Sequence, residues 1–155
     1  DTYVHSEHLT LPWPAVIALR RYKTVRSRVK FSGRNVILRD FGRCSYCGAS
    51  PRLADGNIDL KMLTLDHVVP RAHADHGTVY LPWSKRQVNV TSWENATTAC
   101  KECNAKKADR TPLQAGMPLL YTPRTPTPAD VLRMSLSRLR SLPASWQTYL
   151  PSGGR

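Results

Sequence analysis

The sequence predicts a small α+β protein in which a ββα unit lies between basic helical or extended flanks. Two C-x-x-C pairs occupy residues 44–47 and 100–103. Between them, the alternation at 63–65 predicts one strand, and the Thr- and Ala-rich segment 95–99 predicts a second. Residues 101–109 suit a short helix. Because the second pair joins the second strand to this helix, any group that holds the four cysteines together also closes the ββα unit.

The cysteines themselves predict a zinc site. Four thiols in two C-x-x-C pairs with a long insert match a four-thiolate site, in which two tight turns complete a tetrahedron. Gly48 follows the first pair, where such a turn often needs a positive φ. A disulfide pair or redox dithiols are the alternatives, but no secretory segment or thioredoxin-like pattern supports them. We therefore expect a closed structural zinc site formed by Cys44, Cys47, Cys100 and Cys103.

The N-terminal flank and the insert carry weaker signals. Pro14 can open a short helix, and residues 25–31 alternate well enough for a strand. Ser32 is placed to cap a helix over 34–40 that Gly42 ends. Residues 71–92 show no clear period, which indicates a long loop or a loose hairpin.

The C-terminal flank begins with a capping box at 111–114 and continues through a Pro-rich linker at 122–128. A helix that opens at 127–130 would place Leu132, Leu136 and Leu139 on one face. Near the end of the chain, an apolar anchor is predicted to pack back on the body of the protein through Trp146, Tyr149 and Leu150.

Charge is unevenly distributed along the 155 residues, whose formal net charge is +12. Residues 1–43 have a net charge of +6, whereas residues 44–100 are neutral overall. An excess of this kind indicates an acidic partner, of which nucleic acid is the commonest. A membrane surface is the rival, but we find neither a strong basic amphipathic helix nor roughly 18 consecutive apolar residues. We expect no membrane association, and the oligomeric state is left open.

Polar residues near the cysteines carry the candidate chemistry. Asp66 and His67 end the first predicted strand, Asn95 begins the second, and Asn104 lies on the helix directly after the last cysteine. Taken singly, an Asp-His pair is more often part of a turn, and an Asn after a cysteine is more often a helix cap. A zinc site would bring these distant residues together.

With these residues the sequence resembles the HNH, or ββα-metal, endonucleases, in the branch with zinc knuckles. Asn104 stands where the family's eponymous His would be, and residues 29–40 also resemble the segment that precedes the core. The resemblance covers residues 44–118 through the segments Cys44-x-Tyr46-Cys47-Gly48, Leu63-Thr64-Leu65-Asp66-His67-Val68-Val69-Pro70-Arg71, Trp93-Glu94-Asn95, Ala99-Cys100-x-x-Cys103-Asn104-x-x-Lys107 and Arg110-Thr111-Pro112.

The resemblance implies a metal-dependent endonuclease that hydrolyses DNA phosphodiester bonds. His67 matches the general base that activates water, and Asn95 matches the residue that orients its imidazole. Asp66 and Asn104 match the ligands of a catalytic Mg²⁺ or Mn²⁺, and the four cysteines match the structural zinc set. The chemistry is reasonable, because neutral His is a suitable base at pH 7 and hard oxygen donors suit Mg²⁺.

Double-stranded DNA is the expected partner, and basic residues are expected to contact its phosphates. For Lys107 and Arg110, capping the helix dipole is an equal alternative, and any flank residue could simply be solvated. The candidates are Arg20, Arg21, Lys23, Arg26, Arg28, Lys30, Arg71, Lys107 and Arg110.

The chain is predicted to divide into a basic N-terminal flank at 1–43, a nuclease core at 44–118, and a linker with a C-terminal helix packing on the core at 119–155. We expect a cytoplasmic protein, bacterial or phage-encoded, that meets the nucleoid through DNA. The alternative function is a non-catalytic zinc-ribbon protein that binds nucleic acid. A structural protein of a larger assembly would also need the zinc, but it would not need the polar residues beside it.

Overall fold

The computed structural model describes residues 3–12 and 29–136, which form a small mixed α/β structure with short sheets. Three antiparallel two-stranded sheets are present in these residues, with four short α-helices and one 3-10 turn at Arg71–His73. In chain order the elements are β1 (Tyr3–His5), β2 (Thr10–Pro12), α1 (Gly33–Arg39), β3 (Leu63–His67), β4 (Thr78–Leu81), β5 (Arg86–Asn89), β6 (Ala96–Cys100), α2 (Lys101–Lys107), α3 (Pro112–Ala115) and α4 (Pro128–Leu136).

The sheet formed by β3 and β6 positions the polar residues. The two strands pair in antiparallel register, with His67 opposite Ala96 and Leu63 opposite Cys100. β6 continues directly into α2, whose N-cap is Cys100 and which packs on both strands. The two strands and the following helix agree with the elements predicted at 63–65, 95–99 and 101–109.

The insert between the two central strands contains a second hairpin. β4 and β5 pair with Thr78 opposite Asn89 and Leu81 opposite Arg86. Val69, Val79 and Leu81 form a small apolar cluster beneath it. Of the two alternatives predicted for residues 71–92, the long loop is wrong and the hairpin is confirmed. The hairpin is ordered, and its first strand buries one face and exposes the other.

Helix α1 confirms the helix predicted over 34–40. The Ser32 hydroxyl accepts a hydrogen bond from the Asn35 backbone N–H and caps the helix. Gly42 follows at φ 65°, and a Cβ there would lie 2.5 Å from the Ile58 side chain, so only glycine fits. The strand predicted at 25–31 is wrong where it is described, since residues 29–31 have no regular structure.

Arg39 and Asp40 join α1 to the central sheet. The guanidinium of Arg39 is fully buried and uses all five N–H groups: two on the Asp40 carboxylate and three on the carbonyls of Trp93, Ala96 and Arg124. Oδ2 of Asp40 also accepts from the Thr98 backbone and hydroxyl. Because these two residues lie in the predicted N-terminal flank, that flank contributes to the packing around β6.

The C-terminal elements follow the predicted caps but not the predicted faces. The Thr111 capping box begins α3 as expected. In α4 the buried residues are Asp130 and Met134, while Leu132 is 42% exposed. The face predicted from leucine spacing is therefore wrong at Leu132, because Asp130 turns inward to meet Arg124 and Arg133.

Several predicted features lie outside the described residues. They are the helix opened by Pro14, the part of the strand at 25–28, Leu139, and the anchor formed by Trp146, Tyr149 and Leu150.

Candidate metal centre and the adjoining polar site

The four cysteines lie together as a cluster of free thiols. Their Sγ atoms are all within 4.8 Å of one another, and those of Cys47 and Cys100 are 3.8 Å apart. With Zn–S bonds of about 2.3 Å, tetrahedral sulfurs lie roughly 3.8 Å apart. The cluster therefore has the donor number and spacing to hold a zinc ion.

The turn at residues 44–48, which contains the first C-x-x-C pair and is called the first knuckle, is held against β6 by a backbone hydrogen bond. The Ser45 N–H donates to the Thr98 carbonyl at 2.8 Å, and Gly48 takes the predicted positive φ of 77°. Burial acts to raise the pKa of the Cys44 thiol, but hydrogen bonds from the backbone N–H groups of Cys47, Cys100 and Tyr46 lower it to about 7. Cys44 therefore favours the thiolate, which is the form that binds metal, whereas burial raises the pKa of Cys100 and that of Cys103.

Asp66 and Lys107 form a buried ion pair at the end of β3. Nζ of Lys107 is 3.0 Å from Oδ1 of Asp66, and their side chains are 1% and 6% exposed. Lys107 also donates to the His67 backbone carbonyl at 2.9 Å. The predicted role of Lys107 as a DNA phosphate contact is therefore wrong, because its ammonium group is inside the protein and already paired.

Tyr46 joins the zinc knuckle to the same carboxylate. Its hydroxyl donates to Oδ2 of Asp66 at 2.5 Å, and the ring is buried between the knuckle and the sheet. Burial, followed by the negative charge of Asp66, raises the pKa of Tyr46 well above its usual range, so the hydroxyl remains a donor. The two oxygens of Asp66 are thus held by Tyr46, which precedes the ββα unit in the chain, and by Lys107, at the C-terminal end of that unit.

His67 lies half-buried at the end of β3, with Nε2 3.3 Å from the Thr91 hydroxyl. Burial lowers its pKa, Arg71 and Lys107 act in the same direction, and Asp66 opposes them. The imidazole is therefore accessible and neutral at pH 7, which are the properties of a base that accepts a proton from water.

Asn95 is fully buried, but its amide is directed at the backbone. Oδ1 accepts from the Val69 N–H, while Nδ2 donates to the carbonyls of Val69 and Val90. Among the described residues, no hydrogen bond joins the Asn95 amide to the His67 imidazole, so the direct orienting contact expected of Asn95 is not seen. Asn95 holds the turn that follows His67, so any effect of Asn95 on the imidazole is transmitted through the backbone of that turn.

Asn104 occupies the same helix face as Lys107, three residues earlier, and is half-buried. Within the part of the chain that the structure describes, its side-chain amide takes no hydrogen bond. Each carboxylate oxygen of Asp66 keeps a lone pair beyond those used by Lys107 and Tyr46. A carboxylate and an amide oxygen are the ligand types that a hard divalent cation accepts, and the buried charge of Lys107 would oppose its binding.

The other predicted phosphate contacts differ in accessibility. Arg71 is exposed and close enough to His67 to influence its pKa. Arg110 is exposed and donates to the carbonyls of Lys106 and Lys107, which agrees with the capping alternative. Lys30 is exposed. Five of the candidates lie outside the described residues: Arg20, Arg21, Lys23, Arg26 and Arg28.

Two residues of the site were not assigned roles from the sequence. Tyr46 lies between Cys44 and Cys47, and its position within the C-x-x-C pair was the available signal. Thr91 lies near the end of the insert, with no pattern that would single it out. The buried partnership of Lys107 likewise depends on the distance between α2 and β3, which spacing in the sequence does not give.

Comparison of the chain with protein-family models, curated proteins and solved structures gives no significant match. Every helix within residues 3–12 and 29–136 is too short or too polar to cross a membrane.

Proposed function

We propose that this protein is a metal-dependent endonuclease that hydrolyses DNA phosphodiester bonds, with His67 as the general base. The observation that carries the proposal is the direct attachment of α2 to the Asp66-His67 dipeptide. Lys107 binds the Asp66 carboxylate and the His67 carbonyl, so an accessible imidazole is held beside a carboxylate and the face of α2 that bears Asn104.

The residues of the chain would act as follows. The neutral imidazole of His67 accepts a proton from a water molecule as the water oxygen bonds to phosphorus. The bond from phosphorus to the 3′ oxygen then breaks, and the leaving oxygen takes up a proton. Asp66 and Asn104 would hold Mg²⁺ or Mn²⁺, which when bound supplies Lewis acidity at the phosphate. The cysteine cluster is suited to structural zinc, because four soft thiolates leave no open position.

The positive charge of the chain supports DNA as the substrate. A charge of +12 favours binding to a phosphate backbone, and several of the candidate contacts are exposed. Arg71 follows His67 closely in the chain and would be well placed to contact DNA near the scissile phosphate. The positive charge alone does not distinguish a DNA-cutting enzyme from a protein that only binds DNA.

That rival is a zinc-ribbon protein that binds nucleic acid without cutting it. The hydrogen bonds from Lys107 and Tyr46 to the Asp66 carboxylate favour this alternative, because a carboxylate that is paired in this way can be purely structural. Binding measurements alone would not separate the two functions, so cleavage must be measured.

The deciding experiment incubates supercoiled plasmid with zinc-loaded protein and added Mg²⁺ or Mn²⁺. His67→Ala is compared with His73→Ala, a matched change at an exposed histidine in the neighbouring turn. We expect cleavage by the parent and by the His73 variant, and loss of cleavage by the His67 variant.

Equal cutting by the parent and His67→Ala would remove His67 as the base. Failure of the parent to cut linear, supercoiled or single-stranded DNA in either ion would favour the binding protein. Circular dichroism and zinc content of each variant would establish that the variants are folded.

A further inference from the structure

We infer that a basic cavity beside the first zinc knuckle is a binding site for phosphate groups of a nucleic-acid strand. The cavity has a volume of about 540 Å³, which is within the range of ligand-binding pockets. Its lining includes Arg43, Arg52, Arg124, Tyr121 and Thr122. None of these residues belongs to the cysteine cluster or to the site around His67.

Arg43 is held in place by the knuckle. Its Nε donates to the Gly48 carbonyl at 3.2 Å, and its backbone carbonyl accepts from the Tyr121 hydroxyl at 2.7 Å. A Cβ at Gly48 would lie 3.3 Å from Nη2 of Arg43, so the guanidinium crosses the space that a side chain would fill. This exposed guanidinium makes one hydrogen bond to the protein, and its other donors are left for a ligand.

Arg52 approaches the cavity from the following loop. One of its terminal nitrogens donates to the Phe41 carbonyl at 2.9 Å and to the Ser50 hydroxyl at 3.1 Å. The side chain is exposed, and Nε and the second terminal nitrogen carry no protein partner among the described residues. Guanidinium groups that are already positioned lose little conformational entropy when they bind an anion.

The charges around the cavity are unbalanced. Arg39 is paired with Asp40, and Arg124 is paired with Asp130. Among the described residues, Arg43 and Arg52 form no ion pair with a carboxylate. The cavity therefore presents two guanidinium groups with uncompensated charge, and a third, on Arg124, that is 48% exposed and partly compensated.

These properties favour a phosphate ligand. Guanidinium groups match phosphate oxygens in geometry and in charge, and the hydroxyl of Thr122 can add a hydrogen bond. The Ser50 hydroxyl is already donated to the Gly42 carbonyl and serves to hold Arg52. A nucleic-acid strand supplies phosphates in series and suits a chain of charge +12. The inference rests on the proposed function only for the identity of the strand as DNA.

The test measures binding and avoids cleavage. Fluorescence anisotropy records binding of a labelled DNA duplex to zinc-loaded His67→Ala protein without added divalent ion, across roughly 50 to 200 mM salt. In this background, Arg43→Gln/Arg52→Gln is compared with Arg34→Gln/Lys61→Gln, which removes the same charge at exposed positions outside the cavity.

We expect the cavity pair to weaken duplex binding at every salt concentration and to reduce the log–log salt slope by about 2, one unit for each lost phosphate contact. The control pair should change the slope by less. Arg43→Lys/Arg52→Lys keeps the charges and should retain most of the slope, which separates lost phosphate contact from misfolding.

An unchanged slope and affinity in the cavity pair would overturn the inference, as would equal losses in the cavity and control pairs. A second arm titrates the same proteins with inorganic phosphate and with a mononucleotide. Binding of these small anions that depends on Arg43 and Arg52, with duplex binding unaffected, would overturn the assignment to a nucleic-acid strand. Cleavage does not enter these outcomes, so the proposed nuclease activity can fail while this site stands, or the reverse.

Discussion

Lys107 Nζ lies 3.0 Å from Asp66 Oδ1, and both side chains are almost completely buried. The same ammonium group donates to the His67 carbonyl. Helix α2 is therefore fastened to the end of β3 by charge as well as by packing. Removing one partner of such a pair is costly, because the other charge is left buried and uncompensated.

Lys107→Met should lower the free energy of unfolding by about 3–5 kcal/mol. Asp66→Asn/Lys107→Met should lower it by less than Lys107→Met alone, because the double variant leaves no unpaired carboxylate. Denaturant unfolding of zinc-loaded protein measures both. Asp66→Asn is measured as the second single variant, and if the effects of Asp66→Asn and Lys107→Met simply add in the double variant, the pair is not coupled as described.

Tyr46→Phe removes the hydrogen bond between the knuckle and Asp66 while leaving the four thiols unchanged. We expect a stability loss of about 1–3 kcal/mol, the cost of leaving a buried acceptor less satisfied, with zinc content unaltered. Tyr80→Phe, at a residue that is 55% exposed, is the matched control and should have little effect. A fall in zinc content with Tyr46→Phe would show that the hydroxyl supports the metal site instead.

The cysteine cluster should hold one zinc ion per chain. Elemental analysis measures the zinc, and Cys47→Ser should lower both its retention and the thermal unfolding midpoint, because metal binding and folding are coupled. Removal of zinc by a chelator should give a similar loss of stability, and restored zinc should reverse it. Identical unfolding of the zinc-free and zinc-loaded proteins would contradict a structural site.

Asn95→Ala should destabilise the turn after His67. It removes three hydrogen bonds and leaves backbone groups of Val69 and Val90 without partners, so we expect a loss of about 3 kcal/mol or more. Hydrogen exchange at the Val69 amide reports the local effect. Asn57→Ala, in an exposed loop, serves as the control. Unchanged protection at Val69 would mean that the Asn95 side chain does not hold the turn.

Asp130 should make stability depend on pH in acid. Although burial raises its pKa, hydrogen bonds from Arg124, Thr127 and Arg133 lower it well below its usual range. The pKa of Asp130 is lower in the folded state than in the unfolded state. The contribution of Asp130 to stability is therefore complete above the unfolded-state pKa of about 3.9 and is lost as the pH falls through the folded-state pKa. Asp130→Asn should therefore be less stable near neutral pH, and its midpoint should fall less steeply on acidification. Parallel pH profiles for the parent and the variant would refute this.

The helices and strands with strong local signals were predictable. Ser32 and Thr111 each cap a helix through their own hydroxyl, and Gly42 ends one because of its positive φ. The cluster of Cys44, Cys47, Cys100 and Cys103 was likewise predictable, because two C-x-x-C pairs have the spacing that is typical of metal ligands. The face of α4 was not, because Asp130 is buried by partners that lie on other segments.

The sequence by itself determined the ββα order, the four-cysteine cluster and the excess of positive charge, because these depend on neighbouring residues or on composition. Only the tertiary structure decided that Lys107 faces Asp66, that Asn95 binds the backbone, and that Arg43 and Arg52 line one cavity. Long flexible side chains can reach several partners. Which one they meet depends on how close the fold brings distant segments, and on whether burial forces each charge to find a partner.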